Sequence, residues 1–286
     1  MRIGITVSHF DGFRPSKLLG IAQKMGVEFV EFNRSLLEDI EEVSRSIGRM
    51  ESGYHLPLVE EDGFDFSCLN HKQEIEDVIR LLNQHGRKLN LRYALTHPPQ
   101  PDLASQYMES SIEFWVDNLK RLDFPILLEN VVNWGEKDFH RLMELLKEKL
   151  GEQFWGICFD GPHSFLRGED VFSRYRELAP YVKCFHLSDC SLSEDLHMPF
   201  GMGGVFPIRE FLRFIKAMNA DAIINLEINP GSLDNLKHLI ESYLLVMKIM
   251  QPARYVATKA SLLWKIPALK REISKVLESR ETPAAV

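Results

Sequence analysis

The sequence predicts a (β/α)8 barrel with a helical extension at its C-terminal end. Two observations carry this: short β-rich apolar runs alternate eight times with longer amphipathic segments, and no glycine-rich phosphate loop follows the first run. Alternating strand and helix units make the strands parallel, and eight of them within about 250 residues favour closure into a barrel. The competing open, doubly wound sheet would carry G-x-G-x-x-G or G-x-x-x-x-G-K-[ST] after its first strand. This chain has SHFDGFRPS there.

Taken in order, the strands are read at residues 2–7, 27–32, 52–58, 91–97, 126–131, 154–160, 182–188 and 222–228. Several are nearly continuous in Val, Ile, Leu and Phe, as parallel strands covered on both faces are. Among the helical patterns, 15–26 opens at Pro15 and closes at Gly26, while 70–86 and 136–151 close at Gly86 and Gly151. Residues 1–250 form the barrel on this reading. Residues 251–286 form the extension, a helix interrupted at Pro267, lying on the barrel or on a partner.

A hydrophobic fraction of 45% and a charged fraction of 26% describe a water-soluble globule with a large core. No stretch approaches the roughly 20 apolar residues of a membrane span, and the chain begins directly in a strand, so a cytoplasmic enzyme is expected. Cys68, Cys158, Cys184 and Cys190 have no C-x-x-C spacing, and Cys158 and Cys184 lie in apolar runs as small hydrophobes. The net charge of −7 argues against indiscriminate nucleic-acid binding. The charge is uneven, because residues 251–286 carry seven Lys and Arg against three Glu.

The chemistry stands at the strand ends. His55, His97, Glu129, Asp160, His186 and Glu227 close strands three to eight, and His163, Asp195 and His197 follow in loops. In a barrel these positions face one mouth, where active sites of this architecture lie. Burying Glu129, Glu227 or Glu31 in an apolar run without a partner costs several kcal/mol, and the strand ends are poor in Lys and Arg. One potential ligand per unit over six consecutive units predicts a divalent metal site for Zn, Mn, Co or Mg. Phe10, Phe13 and Trp134 are placed to face a substrate ring or to cap the mouth. Gly201, Gly203, Gly204 and the segment 229–232 lie where barrels often hold phosphate. His71, His85, His140 and His238 fall in helical patterns and are read as surface residues.

These residues also carry a resemblance. YHLP (54–57), THPP (96–99), LLEN (127–130), CFDGPHSF (158–165), FHLSD (185–189), DLHMPFGMG (195–203) and NLEIN (225–229) resemble the xylose isomerase-like barrel superfamily. That superfamily holds sugar isomerases and epimerases together with endonuclease IV-type DNA-repair enzymes. The resemblance implies that Glu129, Asp160, His186 and Glu227 bind metal. It implies that His163 contacts substrate or a third zinc, and that His55, His97, Asp195 and His197 match the additional ligands of endonuclease IV. GVEFVEFN, with Glu31 entering the mouth, is similar to the isomerase side, and the DNA-recognition loop expected after that strand is absent. The interval from His186 to Asp195 is also shorter than the nuclease implies.

The function implied first is isomerisation or epimerisation, or a related lyase reaction, of a sugar, sugar phosphate or polyol through an enediolate. Glu129 and Glu227 would shuttle the proton and His163 would bond a substrate oxygen. The alternative is a zinc phosphodiesterase acting at abasic sites in DNA. A barrel that binds metal or ligand without turnover is the third reading, and the basic extension leaves room for a homo-oligomer contact.

Overall fold

Eight parallel strands close into a barrel in chain order. They are β1 (Ile3–Thr6), β2 (Phe29–Phe32), β3 (Glu51–His55), β4 (Leu91–Thr96), β5 (Ile126–Glu129), β6 (Phe154–Asp160), β7 (Val182–Leu187) and β8 (Ile223–Leu226), with β8 pairing back onto β1. The computed structural model describes residues 1–10, 12–100, 108–232 and 235–278. Each expected strand is present, and most are shorter than the apolar run that announced them.

The described helices are α1 (Pro15–Met25), α2 (Ile40–Ser46), α3 (Val59–Asp62), α4 (Lys72–His85), α5 (Met108–Lys120) and α6 (Glu136–Leu150). They continue with α7 (Gly161–Leu166), α8 (Val171–Leu178), α9 (Ile208–Ala217), α10 (Leu236–Met250) and α11 (Pro252–Glu278). Pro15 opens α1, where its missing N–H costs nothing, and Gly26 ends it in the left-handed region at φ 78°. In α6, Glu136 and Asp138 sit at the positive N-terminal end and Lys147 and Lys149 at the negative C-terminal end. Gly86 ends α4 for another reason: its φ of −60° suits any residue, but a Cβ there would lie 2.1 Å from the Phe124 ring.

Side chains alternate along each strand, so every second residue points into the barrel. Phe29, Tyr93, Leu95, Leu127, Cys158, Cys184 and Ile223 fill the interior as their own apolar cluster, and Phe29 stacks on Tyr93 at 5.8 Å. Gly4 and Gly53 make room for these rings: a Cβ on Gly4 would meet Phe29 at 2.6 Å, and one on Gly53 would meet Tyr93 at 2.5 Å. A second, larger cluster fills the space between strands and helices.

Two expectations need correction. The extension is not broken at Pro267: α11 runs through it from Pro252 to Glu278. A proline inside a helix costs ~3 kcal/mol. The helix lies along α1 and α10, buries Leu262, and is anchored by Arg254 to Glu28 at 2.7 Å and to the Gly26 carbonyl. The side chains of Leu263, Ile266 and Lys275, and residues 279–286, lie outside the described residues. His85, read as a surface residue, is buried. It continues the apolar face Ile75, Val78, Ile79, Leu82 of α4 at helical spacing.

Candidate metal centre

The same alternation that fills the barrel builds the site above it. Counting up the inward faces, Gly53 leads to His55, Leu95 to His97, Leu127 to Glu129, Cys158 to Asp160, Cys184 to His186 and Asn225 to Glu227. Glu129 stands at the centre. Its Oε2 lies 3.4 Å from His55 Nε2, 3.3 Å from His97 Nε2 and 3.4 Å from His186 Nδ1. His186 Nδ1 is also 2.9 Å from Glu227 Oε2. Donor atoms of Glu129, Asp160, His186 and Glu227 all lie within 4.8 Å of one another, and so do those of His55, His97 and Glu129. Glu129 therefore belongs to both sets. A third group stands beside them, with Asp195 Oδ2 2.8 Å from His163 Nε2 and 3.4 Å from His197 Nε2.

The histidines are aimed. His55 Nδ1 donates to the Leu56 carbonyl at 2.9 Å, and His163 Nδ1 donates to the Asn130 carbonyl at 2.8 Å. A carbonyl only accepts, so Nδ1 carries a proton and Nε2 is the nitrogen turned to the centre. His186 is turned the other way round, its Nε2 being 3.0 Å from Glu31 Oε1 and its Nδ1 facing Glu129 and Glu227. Holding one imidazole nitrogen with a carbonyl or carboxylate is how metal-binding histidines are oriented. Glu31 is fully buried behind His186, where it also accepts from Tyr93 Oη at 2.6 Å and Asn225 Nδ2 at 3.2 Å.

Asp160 and Asn130 tie the sixth strand to its neighbours. Asp160 caps α7, accepting from the His163 backbone N–H at 2.6 Å through Oδ1. The Asn130 side chain accepts from Asp160 N and donates to Asp160 O, both at 2.8 Å. Asp195 and His197 arrive on a loop closed by an antiparallel bridge between Asp189 and Met198. Asp189 is buried and accepts from the backbone N–H groups of Cys190 and Phe206. Gly204 lies against it so closely that a Cβ would fall 2.1 Å from the carboxylate. His197 adopts φ 46°, unusual for a non-glycine residue, and its carbonyl accepts from Asn229 N at 2.7 Å.

Buried polar atoms without hydrogen bonds gather at this place. They include both Glu129 oxygens, Asp160 Oδ2, His186 Nδ1, Asp195 Oδ1 and His197 Nδ1. Leaving such groups unsatisfied is costly, and bound divalent cations would give them partners. The proton affinities agree. Burial lowers the His55 imidazole, but the Glu129 carboxylate more than offsets it and lifts the group to about 9. His163 is likewise lowered by burial yet carried up to about 10 by Asp160, Asp195 and Glu129. Burial pushes Asp160 up to about 7, with His163 opposing and Glu129 adding to the rise. Protons stand where cations would, and imidazole with carboxylate donors suits divalent metals of the zinc and manganese type.

The family described as xylose isomerase-like TIM barrel matches residues 19–247. The chain belongs to that family. The probable endonuclease 4 of Nitrosopumilus maritimus (strain SCM1) is 29% identical over 195 residues, covering 56% of this chain and 64% of that relative. The chain thus spans less than two thirds of the relative's length. Among solved structures, an AP endonuclease, family 2, from Brucella melitensis has a TM-score of 0.63 at 11% identity, covering 82% of this chain and 95% of that one. D-psicose 3-epimerase from Clostridium cellulolyticum H10 has a TM-score of 0.58 at 13% identity, covering 90% and 99%. At such identities the likeness speaks for the barrel alone.

In this xylose isomerase-like barrel the structure brings His55, His97, Glu129, Asp160, His163, His186, Asp195, His197 and Glu227 to one mouth. Glu31 is placed beneath them. Trp134 is turned aside, donating from Nε1 to the Pro99 carbonyl at 3.0 Å. Phe13 is buried and pairs with Phe10 across the β1–α1 connection. Four contributors escaped the sequence reading: Tyr93, Asn130, Asp189 and Asn225. A signal existed for two of them, since Asn130 directly follows Glu129 and Asn225 lies two residues before Glu227 on the same inward face.

Proposed function

We propose that this chain is a metal-dependent phosphodiesterase whose centre holds two or three divalent cations. The observation that carries the reading is Glu129, shared between the His55/His97 set and the Asp160/His186/Glu227 set, with Asp195 between His163 and His197 beside them at 2.8 and 3.4 Å as a third. One cation with open positions serves an isomerase. Three adjoining donor sets around a bridging carboxylate suit displacement at phosphorus. When bound, the cations supply Lewis acidity to the phosphoryl oxygens and lower the pKa of a water.

The chain's own residues hold and aim this machinery. Glu129 fixes the spacing of two donor sets. The Leu56 and Asn130 carbonyls hold the Nδ1 protons of His55 and His163, and Glu31 holds the Nε2 proton of His186. Each imidazole therefore turns its other nitrogen to the centre without rearranging. The similarity to the probable endonuclease 4 supports the reaction class. A short 3-10 turn (Arg34–Glu38) and α2 form the connection after β2, and duplex DNA is one of the substrates the test below separates.

The experiment is elemental analysis of protein purified without chelators, together with hydrolysis of bis(p-nitrophenyl) phosphate and of abasic duplex. Two or three zinc or manganese ions per chain, at least one lost in His55→Ala/His97→Ala together with hydrolysis, is the expected result. A second reading, epimerisation of a sugar or polyol, draws on one observation: the carboxylates of Glu129 and Glu227 both flank His186 Nδ1, at 3.4 and 2.9 Å. Two carboxylates about one metal position are what a proton shuttle needs. A single exchangeable ion unaffected by that variant, with ketose interconversion and no ester hydrolysis, would install it instead.

A further inference from the structure

Beside the metal centre the mouth opens into a cavity of about 170 Å³ that descends between β1, α1 and α10. Its upper wall is shared with the centre, because His55, His197 and Glu227 line both. Its lower wall is apolar. From α1 and α10 it is lined by Leu18, Ile21, Ala22, Met25, Leu236 and Leu239, with no polar side chain among them. The polar lining groups, Ser8, Glu31, Asn33, Glu61 and Asn229 among them, come from the strands, the mouth loops and α3. The pocket is thus charged on the side of the centre and apolar at the floor that α1 and α10 form.

Protein interiors are close-packed, and voids larger than a water molecule are few. A water in the floor of this cavity would lack the two to four polar partners that ordered buried water requires. An apolar cavity of about 150 Å³ stays dry and accepts a benzene-sized guest, so this one has room for a single six-membered ring. Ala22 sets the space, as the smallest side chain on the inward face of α1, where the neighbouring turns carry Leu18, Ile21 and Met25.

We propose that this cavity is a substrate pocket for an uncharged, ring-sized group, aromatic or alicyclic, carried by the molecule whose reacting part lies on the metal centre. Resting on the phosphodiesterase reading, the substrate is an ester bearing such a ring near its phosphate. An abasic nucleotide, which has no base, would leave the pocket empty.

The test uses the metal-loaded full chain and three probes, phenyl phosphate, methyl phosphate and benzyl alcohol, with binding followed by calorimetry and ligand-observed NMR. Wild type is expected to bind phenyl phosphate at least tenfold tighter than methyl phosphate. Ala22→Leu, which fills the floor, is expected to abolish that preference while keeping its metal content and a Tm at or above wild type, as cavity filling does. Met25→Ala enlarges the floor and is expected to move the preference toward 1-naphthyl phosphate. Equal affinity for phenyl and methyl phosphate in wild type, or a preference that survives Ala22→Leu, overturns the pocket. If neither phosphate binds but benzyl alcohol does, and Ala22→Leu removes it, the pocket stands and the phosphodiesterase reading falls.

Discussion

The two halves of the candidate metal centre are built on different supports. His55, Glu129, Asp160 and His186 are the last or nearly last residues of their strands, and His97 and Glu227 follow β4 and β8 by one position. These six are set by the barrel's own hydrogen-bond ladders; Glu227 N still bonds the Leu187 carbonyl at 3.2 Å. Asp195 and His197 instead ride a loop pinned by the Asp189–Met198 bridge, partly exposed, with His197 in the left-handed region. The difference teaches that the bridged pair of donor sets comes with the fold, whereas the third set is an addition that the loop can tune. Substitutions in the strand half should disturb metal and stability together, and those in the loop half should disturb metal alone.

The sharpest break of that symmetry is Glu129→Gln. It keeps the shape and removes the charge that both strand sets share, so at least two cations should be lost. Hydrolysis should fall by ~10³-fold or more, the scale of losing a group on which the whole catalytic unit depends. Elemental analysis and steady-state rates check this. Full metal content in the variant would mean that Glu129 is not the bridge.

On the loop side, Asp195→Asn with His197→Ala should cost one cation per chain and leave the Tm of the metal-free protein nearly unchanged. The matching strand variant, His55→Ala with His97→Ala, should also cost one cation but removes two imidazoles that pair with the buried Glu129, so its metal-free Tm should fall as well. Differential scanning calorimetry with metal analysis separates the two. Equal Tm losses would erase the distinction between halves.

A smaller effect is expected beneath the centre. Glu31→Gln keeps the bond from Tyr93 but weakens the hold on His186 Nε2. Removing such a supporting partner typically costs 10–100-fold in metal affinity. Competition titration against a chromogenic chelator reads it directly. An unchanged affinity would place Glu31 in the barrel core only.

How far the sequence revealed these halves follows from their supports. The strand-borne candidate residues stood out because a carboxylate within ILLENV or a histidine within VKCFHLS contradicts its apolar neighbours. Period-two alternation then fixes the face each must occupy. Glu31 broke the same rule and was legible as buried, but its role was not. Whether a buried carboxylate meets metal or meets the back of a histidine depends on its height in the barrel, and the run VEFVEF carries no ruler. Tyr93 was hidden for the opposite reason, since an aromatic in a strand is ordinary until Gly53 across the sheet is seen making room for it. The cavity under α1 was wholly illegible. Ala22 in an amphipathic helix looks like any other core alanine.

The least costly way to sharpen the comparison is pH. In the metal-free protein His55 is held at about 9 and His163 at about 10, both above the ordinary imidazole value, and His197 is raised as well. A group raised in the folded state contributes stability that is fully present below its unfolded pKa of ~6.5 and is lost as pH climbs through the folded value. Asp160, raised to about 7, acts in the same direction as it ionises. The Tm of metal-free protein should therefore fall between pH ~6.5 and 10. Cations need deprotonated imidazoles, so loading expels these protons, and metal affinity should rise across the same window. The gap in Tm between loaded and metal-free protein should widen from pH 6.5 to 9, with proton release detectable in weakly buffered titrations. The strand variant that lacks His55 should lose part of that widening, and so should the Asp195 and His197 variant, in which His163 keeps Asp160 and Glu129 but loses Asp195 beside it. A metal-free Tm that is flat over this range would show that the carboxylates do not hold these imidazoles charged, and the picture of protons standing in for cations would go with it.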